Sequence, residues 1–201
     1  MRKFIVASRN KGKLREIEEI LRNFPFKVIS MEEAGVYKNI EENGETFEQN
    51  ALIKAREVFK SVKEIVMADD SGLEVDFLNG APGIYSSRFA GENSTDQQRN
   101  SKLLKLLEGV PFEKRRARFV CTIAVLFPDE KYFTVKGTCE GYIGYEPVGK
   151  NGFGYDPLFF LPEYNMTMAQ MEPSQKHKIS HRGKALKLMV EKLLEMGFVA
   201  D

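Results

Sequence analysis

The sequence predicts an α/β fold on a mixed sheet. Strand-like apolar runs interleave with segments of helical period, and one pair of strands flanks a turn too short for a crossover. No shift in composition separates two independent domains, so residues 1–201 read as one domain. KFIVAS, residues 3–8, is a short apolar run ending in Ser and Asn, the mark of a buried strand. A helix follows from Lys11, with Leu14, Ile17, Ile20, Leu21 and Phe24 on one face, and Pro25 stops it. FKVIS, residues 26–30, gives a second strand. After a polar, acidic, irregular stretch, a long helix is expected over 46–62, burying Phe47, Ala51, Ala55, Val58, Phe59 and Val62.

EIVMADDSG, residues 64–72, reads as a strand running into a loop. The piece LNGAPGIYSSRFAG, residues 78–91, holds Gly80, Pro82, Gly83 and Gly91 and reads as loop. Ser94 or Thr95 can cap a helix carrying Leu103, Leu104, Leu106 and Leu107. ARFVCTIAVLF and KYFTVKGTCEG flank PDEK, an antiparallel hairpin. NGFGYDPLFFLP is punctuated by Gly and Pro. Ser180 can cap a last helix whose apolar face holds Ala185, Leu188, Met189, the Lys192 stem, Leu193 and Met196.

Thirty Lys and Arg against 29 Asp and Glu give a net charge of +1, which excludes the basic excess of a sequence-independent nucleic-acid binder. With 42% hydrophobic residues the chain is too apolar for a disordered polyelectrolyte. No apolar run approaches the ~20 residues that span a bilayer. The opening MRKFIVASRNKGK has too short an apolar stretch for a secretory leader. Cys121 and Cys139 form neither a disulfide framework nor a metal knuckle and are expected as free thiols in a reducing cytoplasm.

The neutral total hides blocks of charge. Arg9, Lys11, Lys13 and Arg15 come with no acid between them; Glu41, Glu42, Glu45 and Glu48 follow; then Asp69, Asp70, Glu74 and Asp76. SQKHKISHRGKALK, residues 174–187, carries only cations and both histidines. Such blocks are commonly solvated faces, but these lie at element ends, where functional loops sit. SRNKGK opens a helix directly after a strand, so its N–H groups and cations suit an anion, although the spacing is not that of a P-loop. An ordinary turn capped by Asn10 is the alternative. The ADDSG carboxylates suit a hard cation or a water to be deprotonated, with Glu41 and Glu42 as further ligands; an Asx turn is the alternative. In NGFGYD, Phe153 and Tyr155 stand between glycines, as rings for stacking on a planar base or as core beside a turn. His177 and His181 have zinc-like spacing, but Lys176, Lys178 and Arg182 around them favour an anion or a carbonyl over a cation.

Taken together, SRNKGK, ENGETFEQNALIKA, ADDSGL, GAPGIYSSRFAG, GFGYDP and SHRGKAL resemble, in order and spacing, the inosine/xanthosine triphosphate pyrophosphatase (ITPase) family over nearly the whole chain. Arg9 departs from the Gly of many members, and Tyr155 stands where some have Trp. The resemblance implies an elongated mixed sheet flanked by helices, two lobes with a central active-site cleft, and a homodimer. It implies Mg²⁺-dependent hydrolysis of ITP, dITP and XTP to the monophosphate and pyrophosphate, with no nucleic-acid or membrane partner.

By the same resemblance, Ser8, Arg9, Asn10, Lys11, Gly12 and Lys13 hold the triphosphate, with Lys54 as a further cation. Glu41 and Asp70 bind Mg²⁺, Asp70 is also the base, and Ser71 lies beside the substrate. Phe153, Gly154, Tyr155 and Asp156 form the base pocket with Lys176, His181 and Arg182. A pyrophosphatase for modified pyrimidines, or a nucleotide-binding regulator without turnover, are the competing readings.

Overall fold

The computed structural model describes residues 1–198. Seven strands form one sheet in the order β2-β1-β3-β4-β5-β6-β7. They are β1 (Arg2–Val6), β2 (Phe26–Ser30), β3 (Ile65–Val75), β4 (Arg116–Leu126), β5 (Tyr132–Ile143), β6 (Phe159–Leu161) and β7 (Met166–Thr167). The helices are α1 (Lys11–Ile20), α2 (Phe47–Val62), α3 (Asp96–Leu106), α4 (Pro173–Ile179) and α5 (His181–Glu195). β1 runs parallel to β2 and β3, while β6 is antiparallel to β5 and β7, so the sheet is mixed as the sequence predicts. β4 and β5 are neighbours joined through the turn at 127–131, a hairpin connection.

The chain divides into two compact units. The first holds Met1–Asp70, Cys121–Gly137 and the segment from Ala185 onward; the second holds Ser71–Val120 and Thr138–Lys184. In the first unit one core packs Phe4, Val6, Ile65, Met67, Cys121 and Ile123 with Ile17 of α1, its C-cap Leu21, and Ala185, Leu186, Met189 and Leu193 of α5. A second core packs Ile5, Ala7, Val66, Ala68 and Ala124 with Ala51, Ala55, Val58 and Phe59 of α2. The strands contribute alternate residues to the two cores, as a sheet covered on both faces requires. In the second unit Leu73, Val75, Phe119 and Ile143 pack with Leu103 of α3, its C-cap Leu107, and Tyr155, Leu158 and Phe159.

Most predicted elements are present. β3 runs on to Val75, so ADDSG lies inside a strand and not in a loop; the fully buried Leu73 and Val75 hold it extended against its local turn chemistry. The Gly/Pro-rich piece contains a 3₁₀ turn, Gly83–Arg88, and Thr95 with Gln98 closes a capping box on α3. α4 falls in the basic segment, where no helix is expected from the sequence. The α5 face is rotated: Leu186 is buried while Leu188 and Met196 are exposed. Both cysteines are buried, and burial pushes the Cys139 thiol up to about 11, so it stays un-ionised at neutral pH. Among the described residues no helix is long and apolar enough to cross a membrane.

α4 turns into α5 at Ser180, whose Oγ accepts the Gly183 N–H at 3.1 Å. A Cβ on Gly183 would lie 1.7 Å from the His177 carbonyl oxygen. That contact is backbone, so no rotamer relieves it. Gly183→Ala is therefore expected to destabilise the protein by about 1–3 kcal/mol in urea unfolding, the cost of overpacking outweighing the ~1 kcal/mol gain in helix propensity. A more stable variant would show that the α4–α5 junction opens readily.

Candidate active site

β3 carries the central acids. Ile65 and Met67 face the α1 and α5 core, Val66 and Ala68 the α2 core, and the two aspartates continue that alternation. The Lys13 Nζ on α1 donates to both oxygens of Asp69, at 2.9 and 2.7 Å. Asp70 meets α2 instead: its Oδ1 lies 3.7 Å from the Lys54 Nζ, which is also 3.3 Å from Glu42 Oε1. Both aspartates are buried. A buried carboxylate needs a positive partner, and each of the two has its own lysine.

The β1–α1 loop is shaped from within. Ser8 Oγ accepts the Asn10 N–H at 3.1 Å, and Asn10 Oδ1 accepts the N–H groups of Gly12 and Lys13 at 2.9 and 3.1 Å, capping α1. Asn10 is thus the cap that the alternative reading of SRNKGK names, and the helix it starts still presents its N-terminal end and Lys13 here. Arg9, which the resemblance groups with the triphosphate loop, makes side-chain contacts of its own here. Its guanidinium donates to Asn39 Oδ1 at 3.0 Å and to the Tyr37 carbonyl at 2.6 Å, and it pairs with Glu32 at 3.2 Å. Arg9 therefore ties the loop to the segment leading into the acidic stretch.

That stretch has no regular structure but is anchored on α2. Asn50 Oδ1 accepts the Gly44 N–H at 2.8 Å, and Gln49 Oε1 accepts the Glu45 N–H at 2.6 Å. Glu42 is the acid brought to Lys54; Glu41 is exposed. Among the described residues no group of three or more His, Cys, Asp and Glu is arranged to hold a metal ion.

The second unit holds the other candidates. Asp156, itself buried, accepts the Phe153 N–H at 2.9 Å and the Lys176 ammonium on one oxygen, Oδ2. Gly152 has φ of 77°, and a Cβ there would lie 2.1 Å from that oxygen, so only glycine fits. Phe153 is 59% exposed, with the Lys176 Nζ 5.2 Å and the Arg182 Cζ 6.0 Å from its ring centroid. Of the two readings of Tyr155, stacking ring or core beside a turn, its burial matches the second. It is 4% exposed, its hydroxyl donates to the Ser86 carbonyl at 2.8 Å, and burial pushes its phenol pKa up. Phe153 is thus the ring of this loop available for stacking. Lys176 braces Asp156, and His181, at the start of α5, stacks on Phe119 at 4.8 Å.

Sequence reasoning missed Asp96 and Asn100 of α3. Asp96 Oδ2 accepts the Gly154 N–H at 2.7 Å, and Asn100 Nδ2 donates to the Gly154 carbonyl at 3.1 Å. One signal was available: residues 96, 100, 103 and 107 share a helical stripe, and polar residues on an otherwise apolar stripe need partners.

The model of the Ham1 family matches residues 4–192. The chain is 48% identical over 197 residues to a dITP/XTP pyrophosphatase of Bacillus cereus, covering 97% of this chain and 96% of that one. It is 50% identical over 189 residues to a dITP/XTP pyrophosphatase of Desulforamulus reducens, covering 94% of each. Among solved structures, a HAM1 protein from Coxiella burnetii superposes with a TM-score of 0.92 at 44% identity, over 97% of this chain and all of that one (100%). A dITP/XTP pyrophosphatase from Mycobacterium abscessus gives 0.81 at 40% identity, over 95% of this chain and 99% of that one.

The two loop aromatics differ in a measurable way. Tyr155→Phe removes a buried hydrogen bond and should cost about 1–2 kcal/mol of stability. Phe153→Ala removes an exposed ring and should stay within about 0.5 kcal/mol of the parent. Urea titrations of the two variants check the pair; a larger loss at Phe153 would contradict its exposed placement.

Proposed function

The chain belongs to the Ham1 family, and from that premise we propose that it is a nucleoside triphosphate pyrophosphatase acting on the non-standard purine nucleotides ITP, dITP and XTP. It releases the monophosphate and pyrophosphate, keeping these nucleotides out of DNA and RNA. The observation that carries the reading is the matched set on β3: Asp69 with Lys13, and Asp70 with Lys54 and Glu42. A plain anion binder gains nothing from carboxylates beside its ligand, whereas a hydrolase needs a proton acceptor there.

The donor set fits Mg²⁺ that arrives with its nucleotide. The acids offer oxygen ligands only, and they are too few for a closed cage, so the remaining positions fall to phosphates and water. We assign the metal to Asp70 and Glu41, with Glu42 as the neighbouring acid on Lys54. When bound, the metal neutralises phosphate charge and polarises the phosphorus centre. Lys13, Lys54 and the α1 N-terminus, with the backbone of Ser8, Arg9, Asn10, Lys11 and Gly12, bind the triphosphate; charge moving onto departing pyrophosphate strengthens these contacts. The Asp70 carboxylate takes the proton of the attacking water as the anhydride bond to pyrophosphate breaks. Ser71 lies beside the reacting phosphates.

The base stacks on Phe153, in the pocket of Gly154, Tyr155, Asp156 and Lys176, and is read by His181 and Arg182. Hypoxanthine and xanthine present a 6-oxo acceptor, adenine a 6-amino donor. A donor facing a donor is left unpaired, which discriminates strongly. The enzyme works as one domain over 1–201, as a cytoplasmic homodimer on free nucleotides.

A panel of nucleoside triphosphates, with and without Mg²⁺ and with pyrophosphate detection, tests this reading. Turnover confined to modified pyrimidines, or tight ITP binding without pyrophosphate, would overturn it. Asp70→Asn should fold and lose roughly 10²–10⁴-fold in kcat, the range of a lost general base. Near-parental turnover would remove Asp70 from that role. Arg182→Ala should lower the ITP-to-ATP ratio of kcat/KM by roughly tenfold or more, the value of one hydrogen bond to a charged group. An unchanged ratio would place the reading of the 6-oxo group elsewhere.

A further inference from the structure

We propose that Asp96 and Asn100 are positioning residues that hold the Phe153 loop in register for base recognition, an inference that rests on the assignment of that loop to the base. Both hydrogen-bonding groups of Gly154 are taken by one helix: the N–H by Asp96 Oδ2 at 2.7 Å, the carbonyl by Asn100 Nδ2 at 3.1 Å. The two side chains are four residues apart on α3, one above the other on the same face. Gly154 has φ of 62°, a left-handed backbone that the clamp fixes between Phe153 and Tyr155.

Four consecutive residues are thereby tied down by different parts of the unit. Asp156 holds the Phe153 N–H and Lys176, α3 holds Gly154 at both ends, and the Ser86 carbonyl holds Tyr155. What remains movable is the exposed Phe153 ring. Asp96 is itself braced: Arg99 pairs with it and also donates to the Ser94 carbonyl, and to the Ser87 carbonyl at 3.0 Å. Asn100 is 8% exposed, so its Nδ2 is spent on the Gly154 carbonyl and not on solvent. This geometry uses the Gly154 N–H in the loop, so Gly154 supports the pocket by holding its neighbours and not by donating to the base.

A side chain that positions the ring should affect substrate binding and base choice but not the chemistry at Asp70. The test uses Asp96→Ala, Asn100→Ala and the conservative Asp96→Asn, which keeps an acceptor for the Gly154 N–H. Hydrogen exchange of the 150–158 peptide is followed by mass spectrometry, alongside kcat and KM for ITP and ATP and the Tm of each variant. Asp96→Ala should accelerate exchange of the loop and raise KM for ITP roughly tenfold with kcat within about twofold, as loss of one hydrogen bond to a charged group predicts. It should also narrow the preference for ITP over ATP, and Asp96→Asn should recover most of each change. Unaltered exchange in both alanine variants overturns the clamp. Faster exchange with KM and base preference unmoved, or a fall in kcat alone, overturns the positioning role. A parent enzyme with no preference for ITP over ATP defeats the base assignment itself, and the exchange arm reads the clamp separately from that failure.

Discussion

The alternation of side chains along β3 is the constraint on which the paired aspartates and lysines depend. Parallel pairing sets Phe4 against Ile65, Ile5 against Val66 and Val6 against Met67, so the two strands send matching residues to matching faces. The register is set by apolar burial: a slip of one residue would turn Met67 and Ala68 out of their cores. Asp69 and Asp70 inherit that register. Because α1 covers one face and α2 the other, Asp69 meets Lys13 and Asp70 meets Lys54. Two adjacent carboxylates that would repel on one surface are thus sent to opposite sides, each with its own cation.

The same pairing gives Lys13 and Lys54 a structural duty. Asp69 is 6% exposed, and removing Lys13 would leave it buried without that charge, a cost that exceeds the net worth of the pair itself. Lysine suits this duty and, on the proposed reading, phosphate binding as well. Its ammonium is a point charge on a flexible stem and can take a phosphate as readily as a carboxylate, whereas a guanidinium would be fixed by its fork. Arg9 shows the contrast: its planar donors are spread over Asn39, Tyr37 and Glu32, where they serve as a staple.

What could be read from the sequence was local. α1, α2, the β4–β5 hairpin and the Thr95 and Ser180 caps follow from period, turn chemistry and cap residues within a few positions. What a local window leaves open shares a cause. The extension of β3 through Ser71 and Gly72 depends on burial of Leu73 and Val75 against α3, which no window around ADDSG contains. Which of Phe153 and Tyr155 is buried depends on the Ser86 carbonyl, 69 residues away. The choice of Glu42 over Glu41 as the partner of Lys54 depends on how the irregular stretch is anchored by Asn50 and Gln49. Candidate site chemistry was legible as residue types in a motif; which member of each pair is buried or paired depends on tertiary contacts.

That distinction bears on selectivity. Three donors, Lys176, His181 and Arg182, are expected around the base, but Lys176 is occupied by Asp156 and so shapes the loop. Of the remaining two, histidine is not a strict donor: a neutral imidazole has one nitrogen that accepts, and it can pair with a 6-amino group by choosing its tautomer. Arginine has no acceptor at all and keeps its proton at any physiological pH. On the proposed reading the penalty against adenine therefore falls mainly on Arg182. On the same reading its alignment with the base depends on the ring that the base stacks on, so fidelity would rest as much on the hydrogen bonds that fix Phe153 and Gly154 as on the arginine itself.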